Sequence, residues 1–207
     1  MKIANYLIKP FFSILVISSF SLVINAQEIS AVIEDIIVTA EKRTESLQDL
    51  SQAVTVLTSD DLDKKQISTF VDISAIAPGV NVAKNEGFKT VITIRGVGYE
   101  TNQNAIATPS VSYHLDGIYI ASPYSLQTEF MDLERIEVLR GPQGTLFGQN
   151  STGGAINVIT SAPSLEESSS YGDITIGDYS LIKTRASFNR PLSETLAVRA
   201  SFITHKR

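Results

Sequence analysis

The stretch "LERIEVLRGPQGTLFGQNSTGGAINVIT" occupies Leu133–Thr160 and holds five of the chain's 12 glycines, at positions 141, 144, 148, 153 and 154. Runs that alternate apolar with polar residues flank this glycine-dense loop on both sides. A phosphate-cradling loop is one reading, and spacing excludes it. A Walker-type loop needs Gly-Lys-Ser/Thr opening a helix, and the segment contains no lysine. The dinucleotide pattern Gly-x-Gly-x-x-Gly fails as well, because the loop leads into Ala155–Thr160, which alternates as a strand. Glycine here serves the backbone: it allows positive φ and close approach of chain to chain, as a loop folded against a confining wall requires.

Downstream of "SAPSLEESSS" the pattern changes. Ile174 and Ile176 alternate with Asp173 and Thr175. Ile182, Thr184, Ala186 and Phe188 then alternate with Lys183, Arg185, Ser187 and Asn189, and after "RPLSE" Leu196, Val198, Ala200 and Phe202 alternate with Ala197, Arg199, Ser201 and Ile203. Runs of about nine to eleven residues with one apolar face, joined by short turns, are the pattern of outer-membrane barrel strands. Three such strands leave open edges that lipid does not tolerate, so the reading implies a barrel completed by residues beyond Arg207.

Upstream, Val54 and Val56 alternate with Thr55 and Leu57 as a strand. Thr58 or Ser59 caps a helix whose first turn carries Asp60 and Asp61. A second short helix spans about Phe70–Ile76 and stops at Ala77-Pro78-Gly79. Thr90–Gly98 is a strand ending in an Arg95-Gly96 corner, and Ser110–Ile120 reads as two strand halves hinged at Asp116-Gly117. Short strands and helices in this order define a small α+β domain ending near Pro163.

The first residues give the compartment. Lys2 and Lys9 precede an apolar, serine-broken run that ends on a small residue, which fits a signal peptide over 1–26, cut after Ala26; a membrane anchor is the alternative, although the run falls short of the roughly 20 apolar residues that a spanning helix needs. Removing it takes two of the 17 basic residues and none of the 22 acidic ones, moving the formal charge from −5 to −7. An acidic chain is a poor partner for nucleic acid. Cysteine is absent, so an exported fold must rest on burial or on an enclosing partner, and His114 and His205 are too far apart in sequence to suggest a ligand pair. No metal or cofactor is expected.

Between the leader and the α+β domain lies "IEDIIVTA", Ile33–Ala40, an extended apolar segment that reads either as a strand pairing with something later or as an ordinary first strand. Together with "ITIRGVG", "YHLDGIYI" and the Leu133–Thr160 stretch, it makes the chain resemble the N-terminal part of a TonB-dependent outer-membrane receptor. The resemblance implies an α+β plug domain over 41–163, preceded by a lead over 27–40, and then the first three strands, 168–207, of a transmembrane barrel of 22 strands when complete.

It also implies roles. Asp35, Ile36, Ile37, Val38, Thr39 and Ala40 resemble the TonB box, the segment that pairs as a strand with TonB. Arg95, Glu137 and Arg140 are implied contacts between plug and barrel, with plug arginines facing acidic wall residues beyond Arg207; local pairing of Glu137 with Arg95 or Arg140 is the alternative. Tyr99, Gln103, Asn104 and Tyr124 are candidate contacts for a ferric siderophore or another large solute. Outer-membrane lipid is the remaining partner and the cell outer membrane the implied location.

Two other readings stay open at this point. One is a stand-alone periplasmic binding or signalling module, or a non-functional truncated fragment. The other is an enzyme, for which the residues give no constellation: Ser112, His114 and Asp116 share a strand face without the sharp elbow that exposes a nucleophile.

Overall fold

The computed structural model describes residues 37–38, 45–46, 52–85, 89–98 and 108–206. All belong to one compact unit, Asp35–Arg207. The leader read over 1–26 lies outside the described residues.

A mixed sheet is the centre of the α+β part. Strand β9 (Leu133–Arg140) lies between β3 (Val54–Thr58) and β10 (Gly154–Thr160), antiparallel to both. On its other side β10 runs parallel to β7 (Val111–Leu115), which turns back into β8 (Ile118–Tyr119). The hinge expected at Asp116-Gly117 is a two-residue turn with φ of +50° and +79°, the left-handed pair that matches strand twist. Arg95-Gly96, with φ of +53° and +77°, makes the same kind of turn between β5 (Lys89–Ile94) and β6 (Val97–Gly98), which complete a smaller sheet with β4 (Val80–Asn85).

The two helices form where expected. Thr58 caps α1 (Ser59–Lys64), its hydroxyl accepting from the Asp61 N–H while the Asp61 carboxylate accepts from the Thr58 N–H, both at 3.3 Å. Helix α2 (Phe70–Ile73) ends in turns before Ala77-Pro78-Gly79. Leu62, Phe70 and Ile73 from these helices pack with Val82, Ile94, Ile136, Val138 and Ile156 into the main core on one side of the sheet. Phe70 sits edge-on to both Tyr113 and Phe130, with ring centroids 4.9 and 4.8 Å apart.

The opposite face of the sheet is also covered. Val38, Leu139, Phe147 and Ala155 form a second buried cluster there, flanked by Val54 and Val56. Phe147 comes from α3 (Gly144–Phe147), a single helical turn inside the loop that the sequence reads as glycine-shaped backbone alone. Close approach is what the paired glycines permit. A Cβ on Gly154 would lie 2.3 Å from the Leu139 carbonyl oxygen, and one on Gly153 would lie 2.9 Å from that of Val97.

Strands β11 (Ser169–Gly177), β12 (Leu181–Ser193) and β13 (Leu196–Lys206) form an antiparallel meander. Strand β12 runs past the expected turn at "RPLSE": Pro191 still pairs with Ala197, and the turn tightens to Glu194-Thr195. Proline is tolerated here beside the register shift that ends the ladder. No helix among the described residues is long and apolar enough to cross a membrane.

Candidate functional site

The meander places its two faces in opposite surroundings. Ile174, Ile176, Phe188, Val198 and Phe202 are exposed, Ile176 at 78%. On the other face Lys183, Ser187 and Asn189 are buried against the α+β body. Apolar out and polar in is the reverse of a strand packed on a water-soluble core, and it is how a barrel strand faces lipid outside and a lumen inside.

Charge pairs join the body to the polar face. The Asp132 carboxylate accepts from Arg199 Nε at 2.6 Å and Nη2 at 2.5 Å, and also from the Ser201 hydroxyl. Asp132 holds φ of +51°, a region that Asp enters more readily than bulkier residues. The Arg199 hydrogen bonds lower its pKa, against the opposing effect of burial. Glu129 meets two bases that are cross-strand partners, Lys183 Nζ at 2.7 Å and His205 Nδ1 at 2.6 Å. Burial pushes the Glu129 carboxyl up, and the bonds from Lys183 and His205 outweigh it, so the net shift is downward. Lys183 Nζ also donates to Ser68 Oγ at 3.0 Å.

A more open pair follows along β12. Arg185 lies 3.1 Å from Asp63 of α1 and 3.2 Å from Asp173 of β11. Between these pairs runs a cleft of about 240 Å³ lined by Leu62, Asp63, Asp132, Tyr171, Arg185 and Arg199. The interface thus joins charge pairs to a cleft that is incompletely filled and partly apolar, with Ile67, Phe130, Met131 and Leu133 also lining it.

In the pairs that cross from body to strands the acids, Asp63, Glu129 and Asp132, belong to the body and the bases to the strands, the opposite polarity to plug arginines facing wall acids; Asp173 pairs with Arg185 within the meander. Arg95 is an exposed residue of the β5–β6 turn. Arg140 donates to Thr55 Oγ1 within the sheet. Glu137 is fully buried; Arg135 Nε donates to it at 2.8 Å and Asn157 Nδ2 at 3.2 Å. Arg135, two residues back on the same strand, is thus one of its local partners. Sequence reasoning missed Asp63, Glu129 and Asp132; the available signal was the spacing of Lys183 and Arg185, which puts two bases on the polar face of one strand.

At the N-terminal end, Ile37 and Val38 form β1 and pair antiparallel with β2 (Glu45–Ser46). Val38 is fully buried in the second cluster. The other members of the expected TonB-binding segment, Asp35, Ile36, Thr39 and Ala40, lie outside the described residues. Of the expected ligand contacts, Tyr124 is exposed on a 3-10 helix, Pro123–Gln127, and Tyr99, Gln103 and Asn104 lie outside the described residues. Ser112 and His114 are buried, and the Asp116 carboxylate is bound by the Thr160 N–H at 2.8 Å and hydroxyl at 2.9 Å. Among the described residues, no group of three or more His, Cys, Asp or Glu is placed to hold a metal ion.

An α+β body seated by charge pairs on the lumen face of amphipathic strands defines a barrel plug with part of its wall. Residues 46–155 match the family described as TonB-dependent Receptor Plug Domain, and the chain belongs to that family. It is 32% identical over 171 residues to the pesticin receptor of Yersinia pestis, covering 80% of this chain and 24% of that protein. It is 27% identical over 176 residues to the vitamin B12 transporter BtuB of Vibrio vulnificus, covering 80% of this chain and 26% of that one. Among solved structures, the ferric yersiniabactin uptake receptor FyuA from Yersinia pestis superimposes with a TM-score of 0.62 at 24% identity, over 73% of this chain and 24% of that chain. The pyoverdine receptor FpvA of Pseudomonas aeruginosa gives 0.68 at 20% identity, over 82% and 24%. These two likenesses show the fold. The chain spans about a quarter of the length of the relatives it matches.

Proposed function

We propose that the chain supplies the plug and first wall strands of an outer-membrane receptor that takes up a scarce, large solute, such as a ferric siderophore, with energy relayed through TonB. The observation that carries this reading is the meander's orientation, with bases turned inward onto plug acids and apolar side chains turned outward. A stand-alone periplasmic module would leave Ile174, Ile176, Phe188 and Phe202 in water. The protein is exported by the leader over 1–26, and the plug closes the lumen.

Gating then follows from two contacts of unequal kind. Residues 35–40 reach TonB by strand addition, whose main-chain hydrogen bonds bear a pull. Ile37–Val38 is already paired with Glu45–Ser46, and Val38 is buried, so this segment must leave its pocket before TonB takes it. Burying one valine contributes about 1.5–3 kcal/mol, which strand pairing with TonB can offset. Movement of the plug then opens a path along its polar seat. Arg95 and Arg140 face further wall residues in the completed barrel, whereas Glu137, expected there too, is fully buried inside the plug and braces its sheet through Arg135 and Asn157; Tyr99, Gln103, Asn104 and Tyr124 contact the solute. No covalent step is required of the protein.

The test is uptake of radioiron from a panel of ferric siderophores, and of cobalamin, by cells carrying the receptor with and without TonB. Uptake of one solute that disappears with TonB is the expected result. Uptake that persists without TonB, or a receptor absent from the outer membrane, contradicts the reading.

A further inference from the structure

The segment by which the chain leaves the plug, Ser161–Ser168, has little to hold it in place. It is polar, Pro163 lacks an N–H, and Leu165 is 47% exposed. Such a stretch behaves by default as a flexible tether. Here it is gripped by one side chain. Asn189, on the inward face of β12 and 3% exposed, accepts from the Ser164 N–H at 2.9 Å and donates to the Ser164 carbonyl at 3.0 Å and the Glu167 carbonyl at 2.7 Å. The two-point contact with Ser164 reproduces what the backbone of a neighbouring strand would make, and with the Glu167 bond it uses both amide protons and the amide oxygen.

A second contact holds the start of the same segment. The Ser161 N–H donates to the Asp132 carbonyl at 2.9 Å, and Asp132 is bound by Arg199, the cross-strand partner of Asn189 on β13. The exit segment is therefore bonded directly to β12 through residues 164 and 167 and linked to β13 through Ser161, Asp132 and Arg199. The Asn189 contact is neutral, so salt, which screens the more open charge pairs elsewhere on the seat, leaves it intact.

We propose that Asn189 is a positioning residue that fixes the plug's exit segment to the second wall strand and thereby sets how the plug sits in the lumen. This rests on the reading of β11–β13 as barrel wall. With its root held, the plug rearranges away from residues 161–167 rather than swinging about them.

The experiment uses the receptor in outer-membrane vesicles. Glutamyl endopeptidase probes the exit segment at Glu166 and Glu167, and spin labels on Gln127→Cys and Glu194→Cys report the distance from plug to wall, with no native cysteine to interfere. In the wild type the segment resists cleavage and stays resistant in molar salt. Asn189→Ala is cut about tenfold faster, as expected when local protection is lost, and its label distance distribution broadens. Ser187→Ala, equally inward on the same strand, changes neither readout. Wild-type cleavage that turns fast in molar salt overturns the proposal without reference to any variant. So does an Asn189→Ala protein with an unchanged distance distribution, which would make Asn189 a local tether. Fractionation of the cells that yield the vesicles separates the two readings: an exit segment protected by Asn189 in protein that does not reach the outer membrane sinks the transport reading and with it the wall, and leaves only the grip of Asn189 on residues 164 and 167.

Discussion

Asp132 and Arg199, 67 residues apart, meet through two hydrogen bonds of 2.6 and 2.5 Å and join the plug's central sheet to the third wall strand. Both side chains are largely withdrawn from solvent, at 16% and 20% exposure. Asp132→Asn keeps the short side chain that tolerates positive φ and removes the charge. It should cost about 1.5–3 kcal/mol, the range for a hydrogen bond to a charged group. Asp132→Ala should cost more, because alanine is also strained at φ of +51°. The urea midpoint of plug protection by hydrogen exchange measures both.

Acid should loosen the seat. Asp132 is lowered by its Arg199 bonds against burial, and Glu129 is lowered because Lys183 and His205 outweigh burial. A carboxylate whose folded pKa is depressed contributes stability that is fully present above the unfolded pKa, about 4 for these groups, and lost as pH falls through the folded value. Protease accessibility of the plug should therefore be flat from neutral pH down to about pH 5 and rise below about pH 4. An Asp132→Asn, Glu129→Gln double variant should lose most of that dependence.

The pairs should not weigh equally. Asp63 and Arg185 are 44% and 27% exposed, so Asp63→Asn should change stability by about 0.2–1 kcal/mol and respond to salt. A double-mutant cycle on Asp63 and Arg185 should give a smaller coupling than one on Asp132 and Arg199.

Much of this was legible in the sequence, for local reasons. Thr58 with Asp61 announces a cap, Asp116-Gly117 a turn, and the alternation of Ile182 to Asn189 a two-faced strand, because each signal is complete within a few residues. The seat was not legible. Glu129 and Asp132 lie in a short linking segment, and their partners stand 54 and 67 residues later, where only folding brings them together. Glu137 misleads in another way: alternation with Ile136 and Val138 sends it to the other face of the sheet, and that face is buried as well, under Val38 and Phe147. Helix α3, at four residues and opened by Gly144, is too short to leave a periodic signal.

Gly154→Ala should be among the most damaging single changes. Its Cβ would stand 2.3 Å from the Leu139 carbonyl oxygen and 2.8 Å from Ile94 Cδ1, so β9 and β10 would have to part. Overpacking typically costs about 1–3 kcal/mol, and the strained φ of +150° adds to that. Hydrogen exchange along β9 and β10 should show the loss there first.

Val38→Ser should release the N-terminal hairpin without unfolding the plug. It removes an apolar side chain from the small second cluster and leaves the main core untouched. Binding of the TonB C-terminal domain to the unliganded receptor should tighten about tenfold, since burial worth about 1.5 kcal/mol no longer competes. Unchanged affinity would mean that docking of Val38 does not hold the segment back.

The central claim is that β11–β13 turn their apolar face to lipid and their polar face to the plug. Single spin labels placed on the cysteine-free chain at Ile174, Phe202 and Ser187, reconstituted in bilayers, test it by collision with oxygen and with a water-soluble nickel chelate. Strong oxygen and weak nickel collisions are expected at Ile174 and Phe202, with shielding from both at Ser187. Strong nickel collisions at Ile174 and Phe202, with oxygen favoured at Ser187, would contradict it.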